Sequence, residues 1–260
     1  MLSDHDDKAA VAAQQRAFLD DLELRPPLPK VRDDISSRDW SVLHPLLCRM
    51  FVACHVLKLS SEARFASLVL LHRYLDATDD LSVDWKWISA ACLFLGTKTE
   101  EESRRLRDII NLMEMLEFGM PGERIHVKAV GPLDDEYWSA KERLVATEQM
   151  VLRMLQFDVS VSHPHRAVAV LLSQEAVLHS QQQELLPISW QHLNQALFYA
   201  PALRHDTLLL ACASIECARL KLESPTKAMP TQILPWWRQY GVSDDELQCC
   251  IADLTYPINR

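Results

Sequence analysis

Apolar residues recur along most of this chain at three- and four-residue steps, the period of an α-helix buried on one side. In "HPLLCRMFVACHVLKL" the stripe is Leu46, Met50, Ala53 and Leu57, within a helical pattern that begins near Trp40. "SSEARFASLVLLHRYL" follows, with Ser61 as the expected N-cap and Phe65, Leu68, Leu71 and Leu75 on one face. "VDWKWISAACLFLGTKTEE" is different: Trp87 to Leu95 are apolar or small on every side, so this segment is expected to be a central helix surrounded by others. "SRRLRDIINLMEML" is amphipathic again, and "EFGMPGERIHVKAVGPLDD" gathers Gly and Pro into a loop. "DDEYWSAKERLVATEQMVLRMLQFD" carries acids in its first turn, where the helix dipole favours them, and a stripe of Leu144, Val151, Leu152 and Leu155. Glu148 interrupts that stripe, four residues from both Leu144 and Leu152.

"DVSVSHPH" breaks the periodicity, and a second helical series begins at "RAVAVLLSQEAVL". "HSQQQELLP" is expected to be an inter-helix loop, and "SWQHLNQALFYA", "RHDTLLLACASIECARLKL" and "SDDELQCCIADL" complete the series. The small-residue-rich "SAACLFLG" and "LLACASIE" sit in mid-series in each half, a faint internal duplication. The pattern predicts an all-α chain of two similar helical domains in tandem. Residues 1–38, polar, acidic and containing "LRPPLPK", are expected to be a flexible leader; the first domain is placed at 39–160 and the second at 161–260.

Composition agrees with helix. Five glycines in 260 residues, with abundant Leu, Ala, Glu, Gln and Arg, do not suit a turn-rich β architecture. A formal charge of −9 disfavours a general nucleic-acid binder, which needs a basic face to neutralise phosphates, and favours a protein partner. The seven cysteines contain no CxxC pair and lie mostly in apolar stretches, which suits a reducing compartment. "MLSDHDDKAA" has no basic n-region or apolar h-region, and no stretch is apolar for long enough to span a bilayer, so a soluble chain, neither secreted nor membrane-embedded, is expected.

No GxGxxG, GxxxxGK[ST], HExxH or GxSxG motif is present, so the commonest phosphate, zinc and serine-nucleophile signatures give no enzyme reading. His163 and His165 in "SHPH" are read as packing at a helix start in preference to metal ligation, and Trp236 and Trp237 in "LPWWRQY" as plugs on the core in preference to a recognition surface. No metal or cofactor is expected. Lys98, at the exit of the buried helix, and Glu148, inside the apolar stripe, remain open. They are either a surface lysine and a glutamate paired within the fold, or two charges that orient a partner.

At these positions the sequence resembles the cyclins. "LFLGTKTEE" at Leu93 to Glu101 is similar to the cyclin-box helix that ends in a kinase-contacting lysine followed by acidic residues. "TEQMVLRMLQFDVSVSHPH" at Thr147 to His165 resembles the later helix with its glutamate and its exit into a second box, and "HRYL" and "RLRDIIN" also fit. The resemblance implies two tandem five-helix cyclin boxes and a non-catalytic subunit that binds and activates a cyclin-dependent serine/threonine kinase by stabilising its active αC-helix arrangement. By transfer, Lys98 and Glu148 meet the kinase, and Glu100 and Glu101 line the same edge.

Within the family, "RDIIN", "LDDEYW", the short chain and the late "PWW" resemble the cyclin Q branch, which implies a partner like cyclin-dependent kinase ten. Transcription-type cyclins of the T, K and L groups share parts of the pattern and are the alternative. General transcription factors of the B type also carry tandem boxes, but a zinc ribbon and basic faces are expected there. "CRMFVACHVL" lacks the tryptophan of the "MRAIL"-type docking groove, so substrate docking at that groove is not implied. "SRRLR" is too short for a nuclear signal; nuclear or cytoplasmic residence is expected to follow the partner.

Overall fold

The computed structural model describes residues 40–78, 84–117, 135–175, 178, 181–198, 205–222 and 235–255. Among them are nine α-helices: α1 Trp40–Val56, α2 Ser61–Ala77, α3 Trp85–Thr99, α4 Leu106–Glu117, α5 Asp135–Met154, α6 Pro164–Gln174, α7 Gln182–Ala196, α8 Thr207–Leu222 and α9 Asp244–Thr255, with a 3₁₀ turn at Trp236–Tyr240. The expected leader and the Gly/Pro-rich loop at 118–134 lie outside the described residues. The all-α expectation holds. No helix among the described residues is long and apolar enough to cross a membrane.

The helices form two compact units that divide between Ser160 and Val161. In the first, α3 packs against α1, α2, α4 and α5. Its central place follows from its sequence: every residue from Trp87 to Thr97 is buried. α2 departs from the one-faced reading, because it is buried on all sides from Phe65 to Leu75. Its polar residues tolerate this by finding partners: Ser67 Oγ donates to the Ala63 carbonyl at 2.7 Å. Buried Arg73 donates to the carbonyls of Ser160 at 2.9 Å and Asp158 at 3.3 Å, anchoring the strand-like exit from α5.

The cap of α2 is Ser60 and not Ser61. Its hydroxyl accepts from Ala63 N–H at 3.1 Å, which leaves Ser61 as the first helical residue. Gly96 is required by packing. A Cβ there would lie 2.6 Å from Ser67 N and 2.7 Å from Ser67 Cα, so α2 and α3 cross too closely for any side chain.

In the second unit α8 has the equivalent position, buried from Leu209 to Ala218 and packed by α6, α7 and α9. Glu216 within it is buried but answered. Trp236 Nε1 donates to one carboxylate oxygen at 2.9 Å, and Arg219 Nε to the other at 2.9 Å. Trp236 is therefore a core plug, as expected. Trp237 is half-buried, with its indole N–H on Asp244 Oδ1 at 2.9 Å. His163 and His165 are buried at the start of α6, where the His165 ring meets Trp190 edge to face at 5.5 Å, so packing is their role here.

The loop expected at 179–187 is a correction: α7 already begins at Gln182, with Gln181 as its N-cap residue and Pro187 inside the helix. Gln and Glu are good helix formers, and the carbonyl orphaned by Pro187 belongs to Gln183, an exposed residue open to solvent. α9 opens with a reciprocal cap. Ser243 N–H donates to Glu246 Oε2 at 3.0 Å, and Glu246 N–H to Ser243 Oγ at 3.3 Å.

Candidate functional site

Two helices of the first unit build the site. α3 runs buried to Thr97 and surfaces at Lys98, in its last turn, where the helix dipole favours a cation. α5 packs beside it and carries Glu148 on its inner face. Lys98 Nζ lies 2.5 Å from Glu148 Oε1 and 3.9 Å above the centre of the Phe94 ring, one turn back on α3. The two ends of the pair differ in environment: the lysine side chain is 42% exposed and the glutamate 11%. Thus the buried helix ends in charge because its terminal lysine serves two neighbours. It neutralises a carboxylate that interrupts the apolar seam of α5, and it covers an aromatic ring.

Thr97 and Thr99 complete the helix end. Their hydroxyls donate to the carbonyls of Phe94 at 2.8 Å and Gly96 at 3.1 Å. These are local bonds from each side chain back to a carbonyl three residues earlier in its own helix.

The glutamates that follow divide their roles. Glu100 is the C-cap residue of α3, its N–H bonded to Gly96 O. Glu101 is exposed and adopts a left-handed backbone with φ of 56°. Glu102, absent from the expected site, is heavily bonded. It accepts from Ser60 N–H at 3.0 Å and Ser60 Oγ at 2.7 Å, and its other oxygen accepts from Arg104 Nη2 at 2.6 Å. Arg104 in turn donates to the carbonyls of Leu57 at 3.3 Å and Lys58 at 3.4 Å. Burial raises the Glu102 pKa, but the two Ser60 donors and the Arg104 charge outweigh it and hold the carboxyl below its ordinary value. This network straps the end of α3 to the α1–α2 turn. Only a Ser, a Glu and an Arg at unrelated spacings signal it in the sequence.

On the outer side of α5, Met150 and Met154 are exposed, and Phe157 just beyond the helix is 67% exposed. These apolar side chains flank the end of the helix that holds Glu148. The arrangement presents a fixed charge pair beside apolar side chains.

Residues 18–160 match the family described as "Cyclin, N-terminal domain". The chain belongs to the cyclin family. Cyclins are non-catalytic regulatory subunits. Among its relatives, human cyclin-L1 is 28% identical over 230 residues, covering 88% of this chain and 42% of the relative. Mouse cyclin-L2 is 29% identical over 202 residues, covering 77% and 37%. The chain thus spans less than half the length of these cyclins.

The cyclin fold extends over both units. The yeast RNA polymerase II CTD kinase CTDK-1 complex contains a chain that superposes with a TM-score of 0.66 at 17% identity, over 89% of this chain and 72% of the other. A viral cyclin from herpesvirus saimiri gives a TM-score of 0.64 at 15% identity, over 93% and 96%. At such identities the likeness concerns the fold. The two curated relatives named above are cyclins of the L type, and they favour the transcription-group alternative over the cyclin Q branch expected from "PWW" and "LDDEYW".

Proposed function

We propose that this cyclin binds and activates a cyclin-dependent serine/threonine kinase of the transcription group, through the edge formed by the end of α3 and the end of α5. The observation that carries the proposal is the Lys98–Glu148 pair, 2.5 Å apart at the rim of a cyclin N-terminal domain. The L-type relatives support the transcription group. A partner like kinase ten gains nothing from them.

The mechanism needs no chemistry from the cyclin. A kinase is active when the glutamate of its αC helix pairs with the ATP-site lysine and the magnesium-binding aspartate is in place. A rigid surface that fits only this arrangement shifts the population toward it, and a shift from about 1:99 to 99:1 takes roughly 5.5 kcal/mol of differential binding. Lys98 and Glu148 set orientation by offering a donor and an acceptor to kinase backbone. Phe157, exposed at the end of α5, adds apolar area. Glu100 and Glu101 extend the same edge at its acidic side. The kinase complex, and with it this chain, resides in the nucleus on this reading.

The test is activation of a panel of purified cyclin-dependent kinases on a generic peptide, with wild type beside Lys98→Ala/Glu148→Ala. Activation of a transcription-group kinase by wild type alone supports the proposal. Equal activation by the double variant assigns the pair to internal structure and refutes it.

A further inference from the structure

Among the described cysteines one thiol stands apart. Cys249 is exposed, whereas its neighbour Cys250 is buried in the core of the second unit. Asp253 lies one turn beyond Cys249 on α9, so both side chains share a face. His205 reaches that face from the segment leading into α8, with Nε2 2.8 Å from Asp253 Oδ2. One ligand atom from each of His205, Cys249 and Asp253 lies within 4.8 Å of the others.

We propose that His205, Cys249 and Asp253 bind a divalent ion of the zinc class, with water completing a tetrahedron. Imidazole nitrogen, thiolate and carboxylate are all zinc ligands, and a thiolate in the set selects against magnesium and calcium. Two atoms bound at zinc distances with tetrahedral angles stand about 3.3 to 3.5 Å apart. The His205 and Asp253 atoms must therefore open by about half an ångström, and the thiol, within 4.8 Å of both, must close by at most about 1.3 Å, within the reach of side-chain rotation.

The walls of the site are fixed. Asp206 Oδ1 caps α8 by accepting from the N–H groups of Leu208 and Leu209 at 2.8 and 2.9 Å. α9 is held by its own reciprocal cap and by buried Leu247, Cys250 and Leu254. Exposure at Cys249 leaves an approach for the ion and room for a water. A simple His205–Asp253 clamp would explain two of the three groups and leave the thiol without a role.

Binding balances without redox change. Cys249 releases its proton to solvent, Asp253 binds as the carboxylate, and His205 binds through unprotonated Nε2 with its proton on Nδ1. The two anionic ligands neutralise the ion, which staples the start of α8 to α9.

The full chain, stripped with a chelator, would be titrated with Co²⁺ and then with Zn²⁺ in competition. The expected result is a single equivalent with a thiolate charge-transfer band and the intense visible bands of tetrahedral cobalt, all displaced by Zn²⁺. Cys249→Ser should remove the charge-transfer band, and His205→Gln should weaken binding at least roughly ten-fold. Zinc should raise the unfolding midpoint of wild type and not of Cys249→Ser, which, at an exposed site, retains the fold. Weak octahedral cobalt bands, or a charge-transfer band that persists in Cys249→Ser, would overturn the proposal.

Discussion

Gly96→Ala is a small change whose cost can be worked from the crossing of α2 and α3. The added methyl would stand 2.6 Å from Ser67 N and 2.7 Å from Ser67 Cα, both backbone atoms that no rotamer can move. Relief requires the helices to separate by most of an ångström, along a contact where α2 is buried on all sides. Overpacking of this kind costs about 1 to 3 kcal/mol and sometimes more. Alanine recovers about 1 kcal/mol of helix propensity relative to glycine. The Ser67 hydroxyl is met as well, but because backbone atoms are met beside it and cannot rotate away, the upper end of the first range applies, and a net loss of about 2 kcal/mol is expected.

Urea unfolding followed by circular dichroism would show a lower midpoint at unchanged slope, for the transition that belongs to the first unit. Ser67→Ala in the same chain should not rescue it, since the obstructing backbone atoms remain. Full rescue by Ser67→Ala, or a stabilised Gly96→Ala, would refute the claim that backbone approach dictates this glycine. Lys98 lies two residues beyond, so the variant should also weaken kinase binding in proportion to the displacement of the helix end.

Four further outcomes follow from the structure. Glu102→Gln should lower stability at neutral pH; because the folded carboxyl titrates below its ordinary value of 4.5, that stability is present above the unfolded pKa and lost as pH falls through the lower folded one. Acid unfolding of wild type should therefore converge on that of the variant once the pH has fallen through the lowered folded value. Trp236→Phe removes the donor to buried Glu216 Oε1 and should cost about 1 to 3 kcal/mol in thermal unfolding of the second unit, more than the loss of ring area alone. Ser243→Ala breaks the cap of α9 at a cost of about 1 kcal/mol by the same assay, with Ser243→Asp close to wild type. Lys98→Ala alone leaves Glu148 buried without its cation, whereas Glu148→Ala leaves an exposed lysine, so the first should destabilise the free chain more than the second.

Much of the first unit was legible because burial writes a period. The three-and-four spacing of Leu46, Met50 and Ala53, and the unbroken apolar run of Trp87 to Leu95, place α1 and α3 directly. α2 is less one-sided than its stripe of Phe65, Leu68, Leu71 and Leu75 suggests: His72 and Arg73 are buried too, with Arg73 bonded to carbonyls more than eighty residues away, at Asp158 and Ser160. Periodicity cannot see a partner that distant. The same limit hid Glu102, whose partners are Ser60 and Arg104, and moved the α2 cap by one residue, since two adjacent serines are equivalent until one hydroxyl meets Ala63 N–H.

The reading of 179–187 failed for another reason. The Gln-rich run was read as a loop, while its Gln and Glu residues are good helix formers and Pro187 sits early in the helix with the exposed Gln183 four residues before it. At the site, the residue types of Lys98 and Glu148 drew notice as misfits, one at the end of a buried run and one inside an apolar stripe. That they meet each other, with Phe94 beneath the lysine, depends on how α3 crosses α5, which single-helix patterns do not contain. The His205–Cys249–Asp253 cluster was invisible in the same way.

The central claim is that the Lys98–Glu148 edge engages a kinase, and its most direct measurement is the affinity of the purified chain for an immobilised transcription-group cyclin-dependent kinase, wild type against Lys98→Ala/Glu148→Ala, with circular dichroism to certify the fold of both. The account predicts a loss of about 2 to 5 kcal/mol in binding, as expected for charges desolvated against a partner. A folded double variant that binds as tightly as wild type would contradict it, and would leave the pair as an internal ion pair at the end of a buried helix.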